Sequence, residues 1–135
     1  MKYAVIDTNV LVAAMITHNE MSPTVKVVEA IGEGKIIPLY NEEIVTEYKE
    51  VLNRSKFGFL GTSVARLIRT MMDKGVNAER IFSGEAFPDA SDAVFYEVAL
   101  SKEGSYLVTG NKKHFPQAPI VVTPAEMLEI LAQEE

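Results

Sequence analysis

The chain of 135 residues contains no cysteine. Disulfides and thiolate metal sites are thereby excluded, which suits a reducing compartment. A membrane-length hydrophobic run is also missing: the apolar stretch at 10–16 is about one-third of what a span requires. That stretch follows Asp7 rather than a basic segment, so it reads as neither signal peptide nor anchor, and the expected location is the cytoplasm. Positive charge is scarce. Lys and Arg number 13 against 19 Asp and Glu, a formal charge of −6, which argues against broad adhesion to nucleic acid. Repeats, low-complexity segments and linkers are absent, and the length suits one domain over 1–135, large enough to bury a core.

The shortage of positive charge is uneven. Residues 54–80 hold six basic side chains (Arg54, Lys56, Arg66, Arg69, Lys74, Arg80) against two acidic ones (Asp73, Glu79), a local balance of +4 that leaves −10 for the remainder. One face could therefore still favour a polyanion.

Apolar runs suited to buried strands fall at 3–6, 36–40, 106–109 and 120–122, with a weaker one at 80–83. Helical patterns lie between them at 10–16, 24–33, 42–54, 63–74, 89–102 and 125–132, and Gly34, Gly75 and Gly104 stand where helices should stop. Residues 58–62 read as a turn within the domain. Thr123-Pro124-Ala125-Glu126 gives the last helix a Thr cap, a Pro in first position and a Glu at the third. Strands alternating with helices predict a parallel sheet covered on both faces.

In such a sheet, ligands bind beyond the carboxyl ends of the strands. Asp7 ends the first apolar run, and Thr109-Gly110-Asn111 ends a later one. In the helix at 42–54, a turn of about 100° per residue groups Ile44, Val45, Tyr48, Val51 and Leu52 on one arc. Glu47 lies at its edge, roughly 40° from Val51 by the same arithmetic, whereas Glu42, Glu43 and Glu50 fall toward water. Glu47 is thus either held near the core or a solvated acid whose stem covers apolar surface. Asp92 has Phe95, Tyr96 and Ala99 as helical neighbours, and a carboxylate on such a face needs a partner or it protonates. The alternative is a helix start with Asp89 as N-cap and Asp92 as a first-turn charge. Asn111 is open to a turn role as well. His18 and His114 lack a partner at ligand spacing and read as surface or loop residues, and Lys112 and Lys113 read as solvated. Convergence of Asp7, Glu47 and Asp92, with no cysteine, would suit a hard, oxygen-seeking cation such as magnesium or manganese.

Taken together, Val5-Ile6-Asp7-Thr8-Asn9-Val10-Leu11, Glu47-Tyr48-Lys49-Glu50-Val51-Leu52, Pro88-Asp89-Ala90-Ser91-Asp92, Tyr106-Leu107-Val108-Thr109-Gly110-Asn111 and Thr123-Pro124-Ala125-Glu126 resemble a PIN-domain protein. The resemblance is to the ribonuclease toxins of toxin-antitoxin systems and covers nearly the whole chain. It implies a three-layer α/β/α domain with a parallel sheet of four or five strands in the order 3-2-1-4-5, and an acidic pocket for one or two divalent cations. By position it assigns the three family acids to Asp7, Glu47 and Asp92. The fourth family position, usually Asp, is Asn111, which can ligate a metal but adds no charge, so metal affinity is expected to be weaker unless Asp89 supplies the missing carboxylate as a metal ligand. Asn9 and Thr109 would complete the pocket. The implied activity is magnesium- or manganese-dependent RNA cleavage. In it Asp7 and Asp92 hold the cation, Glu47 orients or deprotonates a water and Asn111 positions that water, while Arg54, Lys56, Arg66 and Arg69 track the RNA backbone. The implied partners are RNA and a small antitoxin protein, with a homodimer left open.

Three rivals remain. A haloacid-dehalogenase phosphatase wants an Asp where Asn9 stands, and a response-regulator receiver wants a phospho-acceptor Asp where the 36–40 strand ends in Asn41. A PIN-fold module that binds RNA or a partner without cutting would accommodate Asn111 better than either.

Overall fold

The computed structural model describes residues 1–134. Strand β1 (Lys2–Ile6) runs directly into helix α1 (Thr8–Ile16), followed by α2 (Pro23–Gly32) and β2 (Ile36–Tyr40). Next come α3 (Glu42–Leu52), α4 (Gly61–Lys74) and a two-residue β3 (Val76–Asn77), then α5 (Ala93–Leu100), β4 (Tyr106–Val108), β5 (Val121–Val122) and α6 (Pro124–Glu134). Short 3-10 turns sit at Ser55–Phe57, Ala90–Asp92 and Lys112–His114. The five strands are all parallel and ordered β3-β2-β1-β4-β5, the order expected from the resemblance. Among the described residues no helix is long and apolar enough to cross a membrane.

Register places the functional rim. Ile6 pairs with Val108, so the next residue on each strand, Asp7 and Thr109, emerge side by side at the carboxyl edge. The Asp7 N–H donates to the Val108 carbonyl at 2.9 Å. A central strand covered on both faces should be apolar throughout, and Ala4, Val5 and Ile6 are each fully buried. Helix α3 is fastened to that strand by the buried Tyr48, whose hydroxyl donates to the Ile6 carbonyl. The preceding residue, Glu47, is thereby carried to the strand end.

The last helix starts as its sequence requires: the Thr123 hydroxyl accepts from the Glu126 N–H at 3.1 Å, and Glu126 accepts from the Thr123 N–H at 2.8 Å. Gly75 ends α4 for a different reason from a left-handed turn. Its φ is −102°, but a Cβ there would stand 2.4 Å from both the Met71 and Pro38 carbonyl oxygens. Gly34 and Gly104 do take positive φ, 77° and 82°. The 58–62 turn is shorter than expected, because α4 already begins at Gly61.

Two expectations need correction. The strand expected at 80–83 lies earlier, at Val76–Asn77, where it pairs with Leu39 and Tyr40. Residues 80–83 are drawn off the sheet instead by Glu97 on α5. Its carboxylate accepts from the Arg80 guanidinium at 2.7 and 2.8 Å and from both the N–H and hydroxyl of Ser83 at 2.9 Å, while the Ile81 N–H donates to its carbonyl. The helix expected over 89–102 is also shorter. It opens with the 3-10 turn and is α-helical only from Ala93 to Leu100.

Candidate active site

Three acids with the credentials of helix caps or first-turn charges start or flank helices at the rim, and only one of them caps. Asp89 accepts from the Ser91 N–H at 3.0 Å and from its hydroxyl at 2.8 Å, so its exposed carboxylate closes the turn leading into α5. Those bonds hold its pKa below the ordinary value. Asp7 occupies the N-cap position of α1 and Asp92 that of α5, yet neither side chain makes a cap bond. Both carboxylates are left for something other than the helix.

Asp7 is buried, and its Oδ2 accepts from the Thr109 hydroxyl at 2.8 Å. Burial pushes its pKa up to about 6, the Thr109 bond pulls it back in part, and the charges of Asp92 and Glu47 raise it further. Glu47 is half-buried, and its Oε2 accepts from the Thr8 hydroxyl at 2.6 Å. Burial raises its pKa, with the Thr8 bond opposing and the charge of Asp92 adding to the rise. Asp92 is raised by burial and by Asp89, and its Oδ2 is enclosed without a hydrogen bond. The charge of Asp92 felt by Asp7 and Glu47, and that of Glu47 felt by Asp7, bring the acids inferred from sequence into one region of the rim. Glu47 is not the freely solvated acid of the alternative reading.

Neutral polar residues link the two strand ends. Asn9 Oδ1 accepts from the Gly110 N–H at 3.1 Å, and the Thr109 hydroxyl also accepts from the Asn111 N–H at 3.0 Å. Two participants escaped the sequence reading. Thr8 orients Glu47, and His114, an exposed turn residue as its sequence suggests, nevertheless places Nδ1 3.5 Å from Asp92 Oδ2 and Nε2 3.0 Å from Asn111 Nδ2. No signal in the pattern marked Thr8 except its place beside Asp7; His114 was marked only by its spacing of three from Asn111.

A family-model match over residues 3–113, to the PIN domain, covers most of the chain. The protein belongs to the PIN-domain family. No curated protein and no solved structure matches it. The PIN assignment carries a nuclease-type fold.

The donors at the rim suit a hard divalent cation: carboxylate oxygens from three elements, crowded enough that Asp92 raises the pKa of both Asp7 and Glu47, with one buried oxygen lacking any donor. They are not drawn into a finished cage. Among the described residues no three acid or imidazole side chains stand together as a metal-binding group.

The basic residues are dispersed. Arg54 pairs with Glu50 at 3.4 Å and Lys56 lies over the Phe57 ring at 5.1 Å. Arg66 borders an apolar groove with Met15 and Val28, whereas Arg69 borders a separate one with Lys49 and Asn53. Arg80 is engaged by Glu43 and Glu97.

Proposed function

We propose that this PIN domain, occupying 1–135 as one unit, is a cytoplasmic magnesium- or manganese-dependent endoribonuclease and the toxin of a toxin-antitoxin pair. The observation that carries the reading is the convergence of Asp7, Glu47 and Asp92 at one strand-end rim, each with a raised pKa and two of them refusing the cap role open to them. Asp7 and Asp92 would hold the cation, which neutralises phosphate charge and acidifies water when bound. Asp89, spent on Ser91, contributes field rather than a ligand unless that turn opens.

Each of the chain's own groups then has a task. Thr109 fixes one Asp7 oxygen, leaving the other to turn into the pocket. Glu47, with Oε2 held by Thr8, keeps Oε1 to orient the attacking water and take its proton. Asn111 would steady that water through its carboxamide oxygen for in-line attack on phosphorus, after which the P–O bond to the leaving ribose oxygen breaks. Arg54, Lys56, Arg66 and Arg69 are the candidate backbone contacts, Arg69 together with Lys49.

Incubating purified protein with single-stranded RNA, with magnesium or manganese and with excess chelator, tests the reading. Cleavage should require the metal and disappear in Asp7→Asn. Cleavage that persists in chelator, or that separates from the protein on a further column, rules it out. A small DNA-binding-like protein encoded beside this one would support the toxin role. A second reading has its own observation: with Asn111 in place of the usual acid and no preassembled metal group among the described residues, the domain would bind RNA without cutting it. RNA retention without cleavage at any metal concentration would favour that module.

A further inference from the structure

The two ring nitrogens of His114 face two different residues of the pocket. Nε2 lies 3.0 Å from Asn111 Nδ2. With the carboxamide assigned so that its nitrogen faces the ring, that nitrogen donates and Nε2 accepts, which puts the proton of the neutral ring on Nδ1. Nδ1 lies 3.5 Å from Asp92 Oδ2, the buried carboxylate oxygen that has no hydrogen bond. The two contacts are consistent with each other: one tautomer accepts from the amide and turns its proton toward the orphaned oxygen. The backbone favours the pairing, because Asn111 and His114 stand three apart across a 3-10 turn, where side chains eclipse, and the His114 N–H donates to the Asn111 carbonyl at 3.2 Å. Asn111 is tied by its own N–H to Thr109, which holds Asp7. A continuous path of contacts thus runs from Asp7 through Thr109, Asn111 and His114 to Asp92.

We propose that His114 is a positioning residue of this site, a clamp that fixes which end of the Asn111 carboxamide faces the pocket and steadies Asp92. A carboxylate has two equivalent oxygens and needs no such device. An amide has unlike ends, only one of which can hold a cation or accept from a water. With its NH2 occupied by His114, Asn111 keeps its oxygen free, so the imidazole offsets the exchange of acid for amide. His114 lies just beyond the family match at 3–113. The inference rests on the nuclease reading only for its consequence in cleavage, and the clamp is measurable without it.

Two measurements decide. In NMR of the full chain with isotope-labelled histidine, metal-free and at mildly alkaline pH where imidazoles are neutral, His114 should be the Nδ1-protonated tautomer. The Nε2-protonated form overturns the clamp. Calorimetric titration with manganese should show roughly tenfold weaker binding in His114→Ala, the scale of losing an outer-shell partner. His114→Gln, which can both accept and donate, should recover part of it. In an Asn111→Asp background His114→Ala should cost clearly less, because a symmetric carboxylate needs no orienting and only the Asp92 contact is then lost; an equal loss in both backgrounds overturns the proposal. RNA cleavage by the same proteins separates the two ideas. The expected tautomer and background-dependent binding without cleavage keep the clamp and refute the nuclease, while cleavage by wild type with unaltered manganese binding in His114→Ala does the reverse.

Discussion

Asp7 carries the largest burden of any single residue here, and its proton tells how. In an unfolded chain the group titrates near 3.8, whereas folding moves it to about 6, burial being the main cause. Between those values the folded protein binds the extra proton, so this group's contribution to stability falls as pH rises, by up to about 3 kcal/mol across the window. Asp7→Asn should therefore melt at the same temperature as wild type near pH 4, about the unfolded value, and at a higher temperature near neutrality, while losing cleavage. Metal-free thermal melts across that range check it, and a mutant less stable at neutral pH would contradict the burial argument. Asp92→Asn should behave alike in direction, since its enclosed Oδ2 gains nothing from charge. Manganese affinity should drop as pH falls through about 6, because the cation must displace the Asp7 proton; calorimetry at several pH values reads this. Asp7, Glu47 and Asp92 could be singled out in the sequence because Asp7 ends an apolar strand, Glu47 borders the apolar arc of its helix and Asp92 falls within one. Thr8 and His114 could not. The Thr8 partner lies 39 positions away, and the His114 contacts depend on a 3-10 turn that leaves no periodic trace.

At the scale of elements, two junctions should prove sensitive. Gly75→Ala forces a methyl to 2.4 Å from two backbone oxygens, neither the end of a flexible side chain, and should cost about 2 kcal/mol or more in urea denaturation. Glu97→Ala removes the acceptor for Arg80 and for two donors of Ser83, and should cost about 3 kcal/mol while loosening the segment leading to Asp89 and Asp92. Burial alone would raise the Glu97 pKa, yet the Ser83 and Arg80 bonds hold it below the ordinary value, so the carboxylate stays charged. Strands β1, β2 and β4 announced themselves by apolar runs because both of their faces are covered. Strand β3 did not: its two residues are exposed, it pairs only with β2, and its position follows from α4 and Gly75 rather than from any pattern of its own.

For the whole molecule, the net charge of −6 and the division of Arg66 and Arg69 between two grooves imply few simultaneous phosphate contacts. With two such contacts, a fourfold rise in salt should weaken RNA binding by roughly sevenfold, a shallow dependence for a nucleic-acid-binding protein, measurable by fluorescence titration. A slope several times steeper would show that the basic residues act together. The sheet order has a further effect in time. Strand β1 lies at the centre of the sheet, but its partner β4 begins at Tyr106, and the Thr109–Asp7 bond spans 102 positions. A ribosome making this protein must deliver the chain through Asn111 before the two halves of the rim can meet. Until then a nascent chain tethered beside its own message carries the first acids of a pocket whose other wall has not yet been translated.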